Sequence, residues 1–128
     1  MKSIRKDILI AAPPARVWDH LTDPKKIAGW LMPSTFEAVA GREFRMDCGS
    51  GDAIECVVLE VVPRKKLVYT WSSKDLNKRT TVEITLREQR GGTRLVLIHS
   101  GWEKLPPSEV DLGWDACLQK LVGQLQAQ

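Results

Sequence analysis

The chain has 128 residues, of which 27% are charged and 43% hydrophobic, with a net charge of +3 at neutral pH. That length suits one domain around a single substantial core, and the composition is that of an ordinary globular protein. The small positive balance makes no case for a nucleic-acid partner: Lys25-Lys26, Arg64-Lys65-Lys66 and Lys78-Arg79 are scattered among acidic residues and read as solvated faces.

No apolar run approaches the roughly 18 residues of a membrane span, and the ILIAA run after the basic start is too short for the core of a signal peptide. Three cysteines, Cys48, Cys56 and Cys117, are an odd number without CxxC spacing. They read as free thiols in a reducing compartment, so a cytoplasmic location is expected.

Ile4 to Ala11 suits a strand, which Pro13-Pro14 stops. Val17, Trp18 and Leu21 then fall at helical spacing within Ala15 to Leu21, and Asp23 can cap a second short helix from Pro24 to Trp30. Beyond Pro33-Ser34 the period changes to two. Gly41 to Cys48 alternates with Phe44 and Met46 on one face, and Gly49-Ser50-Gly51-Asp52 reads as a hairpin turn. Ile54 to Val62 is a long strand closed by Pro63, followed by Leu67 to Ser72 with Leu67, Tyr69 and Trp71 on one face. A polar turn from Ser73 to Asn77 leads to Thr80 to Glu88, where Val82, Ile84 and Leu86 alternate with polar residues. After a turn at Gln89 to Gly92, Thr93 to Ser100 places Leu95, Leu97 and His99 on one face.

The last stretch, Pro107 to Gln128, returns to helical period. Val110, Trp114, Cys117, Leu118, Leu121, Val122 and Leu125 form one stripe, with Ser108 as the expected N-cap and Asp111 in the box position. A single amphipathic helix cannot bury its stripe alone, so a broad surface must lie beneath it. Five successive β segments supply that surface as an antiparallel meander extended by the N-terminal strand. The expectation is a two-layer α+β fold in which the sheet curves around the long helix and two short helices close one end. A cavity between helix and sheet follows if the sheet curves.

Several segments carry a family resemblance. They are AAPPARVWDHLTDP followed by Trp30, AGREFRMDC, LEVVPRKKLVYTW, GGTRLVLIHSGW and GWDACLQKL, in that order over nearly the whole chain. In these the chain resembles the START-like helix-grip (SRPBCC) superfamily, in the branch resembling the C-terminal domain of the activator of heat-shock-protein-90 ATPase. The resemblance implies a helix-grip fold with an internal hydrophobic cavity. It also implies a ligand among lipids, polyketides, steroids and other apolar small molecules. A few relatives are cyclases. The eukaryotic co-chaperone has a separate N-terminal domain ahead of this one, whereas this chain begins directly with the first strand. A chaperone partner therefore ranks below a small-molecule ligand.

Five tryptophans stand against one tyrosine and two phenylalanines. Trp18 reads as core packing; for Trp30, Trp71, Trp102 and Trp114, pocket wall and plain core are both open. Trp102 near a rim could serve a dimer as easily as a ligand gate. The expected cavity wall comprises Trp30, Phe44, Met46, Trp71, Leu97, His99, Trp102, Trp114 and Leu118, with His99 and the indole N–H groups orienting a ligand. Gly113, inside the long helix, reads as a close approach to the sheet, with a local bend that makes room for a ligand as the other reading.

His99 reads as a hydrogen-bonded wall histidine before a catalytic base, and His20 as a surface or capping residue. No HxH, HExxH or Cys/His cluster suggests a metal, and no cofactor is implied. Glu55, Asp75, Glu83 and Glu103 are candidate acids, but none is paired with another by the sequence. Neither a nucleophile elbow nor a phosphate-binding loop is present, and Cys56 and Cys117 read as packing thiols. The expected function is binding of an apolar small molecule. A cyclase- or hydrolase-type enzyme using His99 ranks next, then a chaperone-interaction module.

Overall fold

A computed structural model describes residues 2–49, 53–74, 76 and 78–126. Nine elements follow one another: β1 (Lys2–Ile10), α1 (Pro14–Thr22), α2 (Pro24–Trp30), β2 (Glu43–Asp47), β3 (Ala53–Val62), β4 (Lys66–Ser73), β5 (Lys78–Gln89), β6 (Gly92–Trp102) and α3 (Pro107–Gln126). The six strands form one curved antiparallel sheet in the order β1-β6-β5-β4-β3-β2. This is the expected α+β helix-grip architecture, with the N-terminal strand closing the meander beside β6. The turn expected at Gly49 to Asp52 lies partly outside the described residues, as do Asp75 and Asn77.

Local chemistry explains the connections. Arg90 and Gly91 both have positive φ, 54° and 78°, between the paired Gln89 and Gly92. Two such residues make the hairpin turn whose twist matches that of the flanking strands. Asp23 accepts a hydrogen bond from the Lys25 N–H at 2.9 Å, capping α2 as its position predicts. Register shifts between Val58 and Glu60 on β3 and between Lys2 and Ser3 on β1 interrupt the ladders, and such irregularities bend a sheet.

The start of α3 differs from expectation. The helix begins at Pro107, with the Glu109 N–H bonded to the Pro106 carbonyl at 3.1 Å. Proline at the first helical position presets φ and lacks only an N–H that had no intrahelical partner, so Ser108 falls inside the first turn rather than at the cap. Asp111 turns outward to another task. Its carboxylate and that of Asp115 hold the Lys6 ammonium at 3.2 and 3.1 Å, tying α3 to β1.

The core lies between the sheet's concave face and α3, with α1 and α2 covering one end. Val58, Val82, Ile84, Leu95, Leu97 and Leu121 are almost wholly buried there. His20, expected near the surface, is also buried. Its Nδ1–H donates to the Arg16 carbonyl at 3.0 Å, and its own carbonyl accepts the Trp30 indole N–H at 2.7 Å. Helix α1 packs against α2, α3, β5 and β6, so even the last turn of so short a helix is enclosed. Trp18 shows the converse: it is only partly buried, packed against the edge of the core.

Candidate functional site

The space inside the curved sheet is divided. At the end covered by α2, Trp30, Phe44, Met46, Leu67, Tyr69 and Ile84 close around a void of about 10 Å³. That is room for roughly one water and no more. Phe36 meets Phe44 edge-on at 4.9 Å between ring centres, and Phe44 meets Tyr69 likewise at 5.4 Å, so aromatic edges fill this end.

At the other end a cavity of about 320 Å³ opens. Helix α3 contributes Glu109, Val110, Gly113, Trp114 and Cys117, one face of its first half. The sheet contributes Trp71 and Ser73 from the end of β4 and His99 from β6. Leu31 and Met32 after α2, Leu76 before β5 and Leu105 before α3 form the rim. A Cβ placed on Gly113 meets nothing within 4 Å. The close approach expected at Gly113 is therefore absent, and this glycine faces open space. The tight contact belongs to Gly29 on α2, where a Cβ would run into the Gln124 side chain.

A polar chain lies behind the cavity wall. The Trp114 Nε1–H donates to His99 Nδ1 at 2.9 Å. His99 Nε2 and Thr80 Oγ1 are 2.8 Å apart, and Thr80 Oγ1 donates to the Trp71 carbonyl at 2.7 Å. An indole N–H can only donate, so His99 Nδ1 must be the unprotonated nitrogen and Nε2–H the donor to threonine. Every group in the chain then has its partner, and the tautomer is fixed. Burial lowers the His99 pKa to about 4. Protonation would also point an Nδ1–H at the Trp114 N–H. His99 is thus neutral near pH 7, and both of its nitrogens are engaged.

This chain holds the Trp114 indole by its N–H and Trp71 by its backbone carbonyl. Trp71 and Trp114 lie 5.4 Å apart, inclined at 57°, with the His99 ring 5.4 Å from Trp71. No buried side-chain nitrogen or oxygen among the described residues lacks a partner. The Trp71 indole N–H, which has no partner among those residues, is therefore reachable from solvent. Cys117 lines the wall as a thiol, its pKa raised by burial, and burial pushes Cys56 in the core up to about 12. Neither is a ready thiolate.

Of the nine residues expected to line one cavity, Trp71, His99 and Trp114 do so. Trp30, Phe44 and Met46 surround the small void at the sealed end. Leu97, Leu118 and Trp102 are core residues that line neither space, although all nine face inward. Trp102 corrects a second expectation: it is fully buried, not exposed at a rim. Its Nε1–H donates to the Leu105 carbonyl at 2.8 Å, which also accepts from Lys2 Nζ at 3.1 Å, so it anchors the loop that carries the rim. Three indole N–H groups expected to meet a ligand, on Trp30, Trp102 and Trp114, instead bond to His20, Leu105 and His99. Sequence reasoning missed Leu31, Met32, Leu76 and Leu105, which lie on loops and carry no periodic signal. Glu109 and Gly113 adjoin the apolar stripe of α3 and were legible as its borders.

Among the candidate acids, Glu103 pairs with Lys78 and Glu83 approaches Lys66, while Asp75 lies outside the described residues. Among those residues no group of three or more His, Cys, Asp or Glu could hold a metal, and no helix is long and apolar enough to cross a membrane.

Solved structures share this arrangement. The chain is similar to protein MLL2253 from Mesorhizobium loti at 29% identity and a TM-score of 0.92, covering 99% of this chain and 98% of that one. It is similar to DynU16, a protein of the dynemicin biosynthetic locus, at 27% identity and a TM-score of 0.87, covering 98% of this chain but 48% of that one. The Aha1 dimer from Colwellia psychrerythraea has the same fold, with 19% identity, a TM-score of 0.83 and coverage of 98% and 96%. No curated protein matches in sequence. The model of one family matches residues 11–126, from the end of β1 through α3, and the chain belongs to that family, the Activator of Hsp90 ATPase homolog 1-like proteins.

Proposed function

We propose that this protein binds a small apolar or amphipathic molecule in the cavity between the first half of α3 and the sheet. One observation carries the reading. In a domain whose other end is packed to a 10 Å³ void, about 320 Å³ is left open beside two indoles, of which Trp114 is hydrogen-bonded in place. Ligand pockets span roughly 300–1,000 Å³, so this one suits a two- or three-ring aromatic or a short acyl chain rather than a whole diacyl lipid. Leu31, Met32, Leu76, Leu105 and Val110 would exclude water, and the free Trp71 N–H and Ser73 would orient the polar part. The relation to DynU16, encoded in a biosynthetic locus, supports a small-molecule partner.

His99 supports binding over acid–base catalysis. Its Nδ1 lone pair is occupied by Trp114, so it serves as the strut of the wall and not as a base. A chaperone partner, suggested by the family description, ranks third, because the cavity gives it no role. Native mass spectrometry of the purified protein, against its denatured mass, tests the reading. Excess mass lost on denaturation supports it. A clean apo mass, with no change in Trp fluorescence on titrating 1-naphthylmethanol, would sink it, and the same spectrum reports whether one copy or two are present.

A further inference from the structure

The geometry points to a ligand that carries a positive charge: a protonated amine on a flat apolar body. This rests on the cavity reading above. Among the described residues lining the cavity Glu109 is the only charged one, and it lies in the first turn of α3. Among the described residues its carboxylate has no hydrogen bond or ion pair. The basic residues nearby in sequence do not offset it: Lys74 and Lys104 are exposed and line no part of the cavity, Lys78 pairs with Glu103, and Lys2 is bound to the Leu105 carbonyl.

The same cavity is lined by Trp71 and Trp114, two inclined indole rings 5.4 Å apart. Indole faces carry negative potential and attract ammonium groups, and such boxes of aromatic rings hold cationic ligands. A carboxylate and two indoles lining one cavity therefore favour a cation twice, by charge and by ring quadrupole. A carboxylate ligand such as a fatty acid would meet Glu109 as a like charge with no basic residue to receive it. Position in the first turn also lets Glu109 complement the helix dipole, but that role would not depend on what enters the cavity.

Three ligands of nearly equal shape separate these possibilities: 1-naphthylmethylamine, 1-naphthylmethanol and 1-naphthoate, titrated at low salt against Trp fluorescence. The amine should bind about tenfold more tightly than the naphthoate, the fold expected when a partly exposed ion pair and a cation–π contact act together. The alcohol should fall between. Glu109→Gln should cut the amine-to-naphthoate ratio severalfold, and Glu109→Lys should reverse the order, with each variant's thermal unfolding checked against the parent. Equal affinities in the parent, or an undiminished ratio in Glu109→Gln, overturn the inference and leave the cavity reading standing. Failure of all three ligands to bind overturns both.

Discussion

The sealed and open ends of the space inside the curved sheet share β4 and the same inward parity, yet only one is vacant. Phe44 on β2 and Tyr69 on β4 face inward and close the small void with Phe36 and Trp30; Trp71, two residues along β4 from Tyr69, packs on His99 and Trp114 and borders the open cavity. The difference lies in the cover. Helices α1 and α2 cap one end with buried apolar side chains, while the other is roofed by three loop segments and a glycine. The means of holding α3 differ accordingly. Its second half is fixed by Leu118, Leu121 and Leu125, with the Leu125 carbonyl accepting from Arg16 at 2.9 Å. Its first half spans the cavity and is held by Trp114 bonded to His99 and by Lys6 between Asp111 and Asp115. Polar ties do at the open end what packing does at the sealed one.

The largest effect should come from opening the sealed end. Phe44→Ala removes a ring that touches two others, and urea denaturation should show a loss of about 4 kcal/mol. Affinity for naphthylmethanol should change far less than stability. Equal loss of both would mean that the two ends are one compartment.

The next effect depends on pH. The His99 pKa lies at about 4 in the fold, held down by burial, against an ordinary 6.5. The unfolded chain therefore binds the proton that the folded one refuses. Stability from this group is complete above pH 6.5, falls through the interval, and is gone below about 4. The shift corresponds to about 3 kcal/mol. In His99→Gln the slope of unfolding free energy against pH between 6.5 and 4 should flatten by that amount. An unchanged slope would show that the histidine is protonated in the folded protein and the hydrogen-bond chain is misassigned.

Much of this fold was legible in the sequence because periodicity and burial are linked strand by strand. The face chosen for Val82, Ile84 and Leu86, or for Leu95, Leu97 and His99, is the buried one. Parity failed at Trp102. Continuing the alternation from His99 turns it outward, but Gly101, at φ 109° where a side chain would strain the backbone, breaks the register and brings the indole in. A glycine in a strand is a visible signal of such a bulge. The vacancy itself was not legible. Periodicity states which way a residue points, not what stands opposite, and the residues opposite Trp71 and Trp114 belong to loops. Nor was the His99–Thr80–Trp71 linkage visible, because it joins Thr80 to Trp71 directly opposite and to His99 on the diagonal, on neighbouring strands whose register the sequence leaves open.

A smaller effect tests the polar tie. Lys6→Met keeps the apolar stem but frees Asp111 and Asp115, both substantially exposed. The cost should be about 1 kcal/mol, as for a networked ion pair near the surface. Hydrogen exchange should quicken in the first half of α3 and not in the second. Uniform acceleration along the helix would mean that Lys6 does no more for one half than for the other.

Gly113 gives the smallest change in stability and the sharpest test of the open end. A methyl group there meets no neighbour, so Gly113→Ala should gain roughly 0.5–1 kcal/mol from helix propensity alone. Gly113→Phe would place a ring in the cavity itself, between the rim and the Trp71–Trp114 pair. Thermal unfolding should be unchanged or raised, since the ring fills space instead of displacing packed atoms, while naphthylmethanol binding should weaken at least tenfold. Stability and binding would then move in opposite directions at one residue, as they must if the vacancy exists for an occupant. Loss of stability in Gly113→Phe would show that the space closes in solution, and the contrast between the two ends would go with it.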